Sequence, residues 1–119
     1  MNIPPPMPKS PRDVIVTTGN DVSGHRITGY IGIVRGLVVR TTDIFSGFIG
    51  GLKSIGGGNI SEYTRVCETA RLHAYDIMVQ HAAAVGADAI IAMRYDATEF
   101  RQNATEVLAY GTAVTLEKA

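Results

Sequence analysis

The only cysteine of the chain and two of its three histidines lie within fifteen residues, in the stretch CETARLHAYDIMVQH from Cys67 to His81. Thiolate sulfur and imidazole nitrogen are ligands that zinc and similar metals prefer. The surrounding apolar residues recur with helical spacing, which predicts one long helix from about Ile60 to Val85. His73 is six residues from Cys67 and eight from His81, whereas ligands on one helix must be three or four apart. These three side chains therefore cannot share one ion within a chain.

A divalent heavy metal held between subunits is the second hypothesis for function, and its candidate ligands are His25, Cys67, His73 and His81. Within one chain, we expect Cys67 to be a small buried residue and His81 to be a core or interface histidine. His73 is expected to form a solvated pair with Asp76 on the helix flank. No other cofactor is expected.

A glycine-rich segment precedes the predicted helix. The free N–H groups and the dipole of a helix N-terminus favour anions, but no phosphate-binding GxxxxGK[ST] motif occurs. We expect residues 43–59 to form a mobile connector, with Asn59 and Glu62 as a capping box at the start of the helix and Ser61 as the competing cap. If a small ligand binds in a pore or groove between subunits, the first candidates are Arg40, Gly56, Gly57, Gly58, Asn59, Glu62 and Arg94.

Catalytic patterns are absent from the sequence. The carboxylates are dispersed, so no acid–base pair follows from their spacing, and no GxSxG nucleophile elbow occurs. The leading expectation is therefore a protein that is not an enzyme. The third hypothesis is a small enzyme with an active site between subunits, built from Tyr63, Arg71, Glu106 or Tyr110.

The elements that must position these residues follow from the apolar pattern. We expect strands at Asp13–Thr18, Arg26–Thr42, Ala89–Tyr95 and Glu106–Glu117, with the polar stretch DATEFRQNAT as a connection between the last two. Glycines 29, 32 and 36 predict bulges or a bend in the long strand, whose Ile31, Ile33, Leu37 and Val39 should share one face. The order predicts an α+β fold of the form β-β(long, bent)-α-β-β.

Composition narrows the class of protein. The chain has 119 residues, of which 45% are hydrophobic and 18% charged, with zero formal net charge. Because its charge is balanced, we expect the chain to bind neither nucleic acid nor an anionic membrane. No apolar run approaches the roughly 20 residues that span a bilayer, and no signal peptide is visible, so we expect a cytoplasmic protein. Residues 1–12 are interpreted as a proline-rich arm, either a disordered tail or a segment lying over a neighbouring subunit, and residues 13–119 as one domain.

Both faces of the last two strands are substantially apolar, and the helix carries a second apolar strip of Leu72, Tyr75, Val79 and Ala83. One helix covers only one face of a sheet, and a helix that is apolar on two sides is packed on two sides. The chain is therefore expected to bind further copies of itself.

Several motifs resemble those of the YbjQ-like family, which is labelled a heavy-metal-binding domain. The similar segments are VTTG at 16–19, YIGIVRGLVVR at 30–40, GGNISEYTRVCETAR at 57–71, AVGADAIIAMRYD at 84–96 and EVLAYGTAVTL at 106–116. The resemblance implies a subunit like that of dodecin, with an antiparallel sheet and one long helix, assembling into a homopentameric ring. It carries over no catalytic residues, and this chain has no CxxC to match the metal label. The leading hypothesis is a non-enzymatic binding or scaffold module.

Overall fold

The computed structural model describes residues 7–41, 60–101 and 104–119. Their order is a single 3-10 turn at Pro11–Asp13, strands β1 (Ile15–Val16) and β2 (His25–Thr41), helix α1 (Ile60–Ala84), and strands β3 (Ala89–Arg101) and β4 (Ala104–Lys118). The four strands form one sheet in the order β1-β3-β4-β2. The predicted α+β class and the single long helix are confirmed.

The sheet is mixed. β4 lies between β2 and β3 and runs antiparallel to both, whereas β1 pairs with β3 in parallel. The expected all-antiparallel sheet is therefore wrong at β1. The chain crosses from β1 at one edge of the sheet to β2 at the other edge. β1 therefore lies beside β3, on the side away from β4, and runs in the same direction as β3. β2 and β3 are parallel and are connected through α1, and β4 lies between these two strands in the sheet.

The helix lies unusually close to β2. A Cβ atom placed on Gly36 would overlap the carbonyl oxygen of Ala74 and stand 2.6 Å from the backbone nitrogen of Met78. The side of the helix that faces the sheet carries small buried side chains, namely Ala70, Ala74 and Ala82. Only glycine fits at position 36, because the helix backbone occupies the space of a side chain. Gly86, with φ of 81°, follows the helix as predicted.

Two of the three strand glycines mark irregular pairing, as predicted. The register of β2 against β4 shifts between Ile27 and Gly29 and again between Tyr30 and Gly32. A shift of one residue moves the next side chain to the other face of the sheet. Ile31 consequently packs against the core beneath the helix, so the prediction that it shares a face with Ile33 is wrong.

The third and fourth strands are longer than the sequence predicts. β3 continues to Arg101 and β4 begins at Ala104, so most of DATEFRQNAT is strand and not a connection. Asp96 pairs with Leu108 and Thr98 with Glu106. These polar side chains concealed the strand, but they are compatible with it because they are exposed while the backbone pairing continues.

The residues before β1 contact the C-terminal end of the helix. The backbone N–H of Lys9 donates to the carbonyl oxygen of Ala83 at 2.8 Å, and the Lys9 ammonium forms an ion pair with Asp88. The Ser10 hydroxyl accepts from the Arg12 N–H and caps the short turn. The described part of the N-terminal segment thus packs on its own chain. Residues 1–6 lie outside the described residues, and the division at residue 12 stays a prediction.

Candidate functional site

The side of the sheet opposite the helix is the candidate site, and we call it the open face. Side chains alternate between the two sides of a strand, and the register aligns those of three strands in rows. The open face comprises Ile33, Arg35, Leu37 and Val39 of β2, Glu106, Leu108, Tyr110 and Thr112 of β4, and Arg94, Asp96 and Thr98 of β3.

Large apolar side chains of the open face are exposed in the single chain. Ile33 is 74% exposed, Leu37 and Val39 are each 48% exposed, and Tyr110 is 36% exposed. Beyond Thr112 the same side of the sheet is covered, because Ala89, Ile91 and Val114 form a small buried cluster under Val22, Ile27 and Leu116. On the side opposite the helix, the sheet is therefore covered at the end beyond Thr112 and uncovered at the other end.

Two arginines flank a tyrosine in one row of the open face. Arg35 pairs with Tyr110 across β2 and β4, and Tyr110 pairs with Arg94 across β4 and β3. The Arg94 guanidinium donates to the carbonyl oxygens of Thr18 at 2.9 Å and of Met93 at 2.7 Å. Among the described residues, the Arg35 guanidinium has neither a hydrogen bond nor an ion pair. The row thus offers one anchored and one available positive charge within an apolar surface.

The predicted ligand residues do not come together within the chain. Arg94 lies on the open face, whereas Arg40 is two residues after the buried Val38 and therefore lies on the same side of the strand, the helix side. Gly56, Gly57, Gly58 and Asn59 lie outside the described residues, and with them the predicted capping box. Glu62 is in the first turn of the helix by its backbone, and its side chain is likewise outside the described part.

Nor do the metal candidates converge. No group of three or more histidine, cysteine, aspartate or glutamate side chains forms a metal site in the described part of the chain. Cys67 is exposed, so the prediction that it is buried is wrong. Ala70, one turn further along, is the first buried position in the described part of the helix, so Cys67 lies beyond the contact with the sheet.

His25, at the start of β2, is half-buried, whereas His73 and His81 are exposed and lie eight residues apart on α1. His73 is exposed as expected, and His81 is exposed, so a core position for His81 is wrong within the chain while an interface position stays a prediction. The His81 Nδ1 accepts a hydrogen bond from the backbone N–H of Arg35 at 3.3 Å. The ring of His25 donates from Nδ1 to the Ser23 carbonyl oxygen at 2.9 Å.

The residues of the enzyme hypothesis lie on opposite sides of the sheet. Glu106 and Tyr110 belong to the open face, whereas the Arg71 guanidinium lies over the Tyr95 ring on the helix side, 5.9 Å from its centroid. Burial raises the pKa of Tyr95, as do the neighbouring Tyr75, Glu68 and Asp76, while Arg71 acts to lower it. The side chain of Tyr63 is outside the described part. One chain does not assemble these groups into a catalytic set.

A cleft that the sequence does not predict lies between the N-terminal turn and the helix. Its volume is about 370 Å³, and its lining residues are Pro11, Arg12, Val14, Tyr75, Asp76, Val79 and Gln80. Ser10 followed by Pro11 is a recognisable start of a helical turn and could have indicated the wall of this cleft. Arg35, an arginine in an otherwise apolar strand face, was the sequence signal for the arginine row.

No helix in the described part of the chain has the length and apolar character needed to cross a membrane.

The fold and the open face define a class: a small α+β protein with one long helix on one side of a mixed sheet and an uncovered apolar surface on the other. Residues 14–117 match the YbjQ-like family, whose description reads "Putative heavy-metal-binding". A UPF0145 protein of Chromobacterium violaceum is 53% identical over 103 residues, covering 87% of this chain and 88% of that protein. A UPF0145 protein of Legionella pneumophila (strain Corby) is also 53% identical over 103 residues, with coverage of 87% and 98%. A third, from Solibacter usitatus, is 51% identical over 104 residues, with coverage of 87% and 93%. The chain belongs to this family, and the resemblance inferred from its motifs is confirmed.

Proposed function

We propose that this chain is the subunit of a homo-oligomeric ring, a pentamer as the family resemblance implies, that acts as a non-enzymatic binding or scaffold protein in the cytoplasm. The observation that carries the proposal is the open face, on which Ile33, Leu37 and Val39 are roughly half to three-quarters exposed. Contiguous apolar surface of this kind marks an interaction site. The single cysteine fits a reducing compartment.

Assembly would turn the open faces of several copies into one enclosed surface. Concave surfaces between subunits are where small ligands bind, usually through apolar contacts and a few polar groups. Arg35 and Arg94 are the charged donors of the central row. A ligand with an apolar body and a carboxylate or phosphate group therefore fits this surface best.

Ile33→Glu is expected to shift the protein from an oligomer toward the single-chain mass of 12.7 kDa. A carboxylate in place of an exposed isoleucine adds a charge that must lose water when copies associate. Light scattering at micromolar concentration measures the mass. Met7→Glu is the matched control, because Met7 is 78% exposed but lies outside the open face. A wild-type protein that is monomeric under these conditions would contradict the proposal.

Metal binding between subunits is the second candidate, supported by the family description and by the exposure of Cys67, His73 and His81. It predicts near-stoichiometric zinc, copper or a similar metal in protein purified without chelator or affinity tag, and loss of that metal in Cys67→Ala. Elemental analysis measures the content, with Thr28→Ala, remote from the helix, as the control. Sub-stoichiometric metal that Cys67→Ala leaves unchanged would eliminate this candidate.

A further inference from the structure

The N-terminal segment leaves a cleft where it passes over the helix. The Lys9 N–H fixes the segment to the Ala83 carbonyl oxygen at the end of the helix, and Val14 packs into the core with Val79. Between these contacts, the turn at Pro11–Asp13 and the helix enclose a space of about 370 Å³. Sites for small molecules in proteins have volumes of about 300–1,000 Å³. The cleft can therefore hold a small organic molecule.

The wall formed by the turn is fixed before any ligand arrives. Pro11 has a restricted φ, and the Ser10 hydroxyl accepts from the Arg12 N–H. The Asp13 N–H donates to the Ser10 carbonyl oxygen at 2.9 Å. The opposite wall is the helix itself. A preformed site loses little conformational freedom on binding, which favours affinity.

The floor of the cleft is apolar. Val14 and Val79 are both buried, and the half-buried Tyr75 is one helical turn before Val79 on the same side of the helix. An apolar group placed on this floor would leave water and contact hydrocarbon on the two walls. The floor thus favours a ligand with an apolar part.

Polar side chains of both walls surround this floor. Asp76 and Gln80 are one helical turn apart on the helix, and Arg12 belongs to the opposite wall. Within the described ranges of the chain, the side chains of these three residues form neither a hydrogen bond nor an ion pair, with each other or with other groups. One positive charge and one negative charge are therefore both available to a ligand.

The two charges together define the chemistry of the ligand. A simple anion would be attracted by Arg12 and repelled by Asp76, and a simple cation would experience the reverse, because both residues line one small space. A molecule that carries a carboxylate and an ammonium group satisfies both. A guanidinium donates two parallel hydrogen bonds to a carboxylate, and the oxygens of Asp76 and Gln80 can accept from an ammonium group.

We propose that the cleft binds a free α-amino acid with an apolar side chain. Its carboxylate accepts from Arg12, its ammonium group donates to Asp76, and its side chain lies on the floor of Val14 and Val79. The helix and the N-terminal turn line the cleft, and no residue of the open face takes part. This site is therefore separate from the proposed function and does not depend on assembly.

L-Leucine is the probe, and isothermal titration calorimetry on the full-length wild-type protein measures its binding. The expected Kd is about 1 mM or lower. Three analogues each lack one contact: N-acetyl-L-leucine has no ammonium group, L-leucinamide has no carboxylate, and glycine has no apolar side chain. Each analogue is expected to bind about tenfold more weakly or worse, because a charged hydrogen bond and a buried leucine side chain each supply at least this factor.

Two variants connect these contacts to the cleft. Arg12→Gln should bind L-leucine about tenfold more weakly and no longer distinguish it from L-leucinamide. Asp76→Asn should lose affinity similarly and no longer distinguish L-leucine from N-acetyl-L-leucine. Both variants should give the circular dichroism spectrum of the wild type, because both side chains are exposed. Lys118→Gln and Asp21→Asn change exposed charges outside the cleft and should keep the wild-type affinity.

The same measurements separate the cleft from the open face. The open face suits any apolar carboxylate, so binding there would accept N-acetyl-L-leucine as well as L-leucine and would be unchanged in Asp76→Asn. That result would overturn the proposal. So would a wild-type protein that binds no L-leucine at about ten times the expected Kd. Binding that needs both the ammonium group and Asp76 supports it, and neither outcome alters the mass that light scattering measures for the proposed oligomer.

Discussion

Gly36→Ala is expected to lower the free energy of unfolding by about 3 kcal/mol, at the upper end of the cost of overpacking a core. The added methyl group would overlap backbone atoms of Ala74 and Met78, and backbone cannot move aside as a flexible side chain can. The helix would have to rise off β2 and lose contacts of its small buried side chains. Urea unfolding at one fixed protein concentration, since the proposed assembly would add to stability, measures the change.

Gly19→Ala is the matched control for this substitution. A Cβ atom at position 19 would meet only the Thr17 hydroxyl oxygen at 3.5 Å and the Asp21 carbonyl oxygen at 4.0 Å, which are ordinary contacts. Its unfolding midpoint should stay close to that of the wild type, or rise slightly because alanine restricts the unfolded chain. Equal stability of Gly36→Ala and Gly19→Ala would show that the helix does not lie on β2 as described.

Asp88→Ala is expected to cost about 2 kcal/mol of folding free energy, the usual price of leaving a hydrogen-bonding group without its charged partner. The Asp88 carboxylate accepts from the backbone N–H of Leu116 at 2.8 Å and forms an ion pair with Lys9. The Asp88 side chain thus connects β4 to the N-terminal segment. Asp88 itself lies between the end of α1 and the start of β3. The loss should appear in urea unfolding at neutral pH.

Two further variants separate the contributions of Asp88. Asp88→Asn keeps an oxygen that accepts from Leu116, so it should recover most of the lost stability. Lys9→Ala removes only the ion pair, whose two side chains are about one-third exposed, and should cost less than about 1 kcal/mol. If Lys9→Ala were as damaging as Asp88→Ala, the ion pair and not the Leu116 hydrogen bond would be the stabilising contact.

The open face accounts for why copies should associate, since uncovered Ile33 and Leu37 gain from leaving water.

The extent of α1, the long strand β2 and the family all follow from local sequence. A helix from about Ile60 follows from apolar spacing, and its end follows from Gly86, because both are properties of neighbouring residues. The irregularities of β2 at Gly29 and Gly32 were equally visible, since glycine in a strand marks a bulge. A metal site formed by Cys67, His73 and His81 of one chain is excluded in the same way, by the spacing of these residues along one helix.

Tertiary structure alone decided the rest. β1 is parallel to β3, β3 runs to Arg101 through polar residues, and Cys67 lies outside the contact that buries Ala70. Each depends on which distant segments meet, and strand propensity is too weak to specify that. Gly36 shows the difference most clearly. Its sequence context predicted a bend, whereas the helix backbone of Ala74 and Met78, some forty residues further along the chain, is what requires a glycine there.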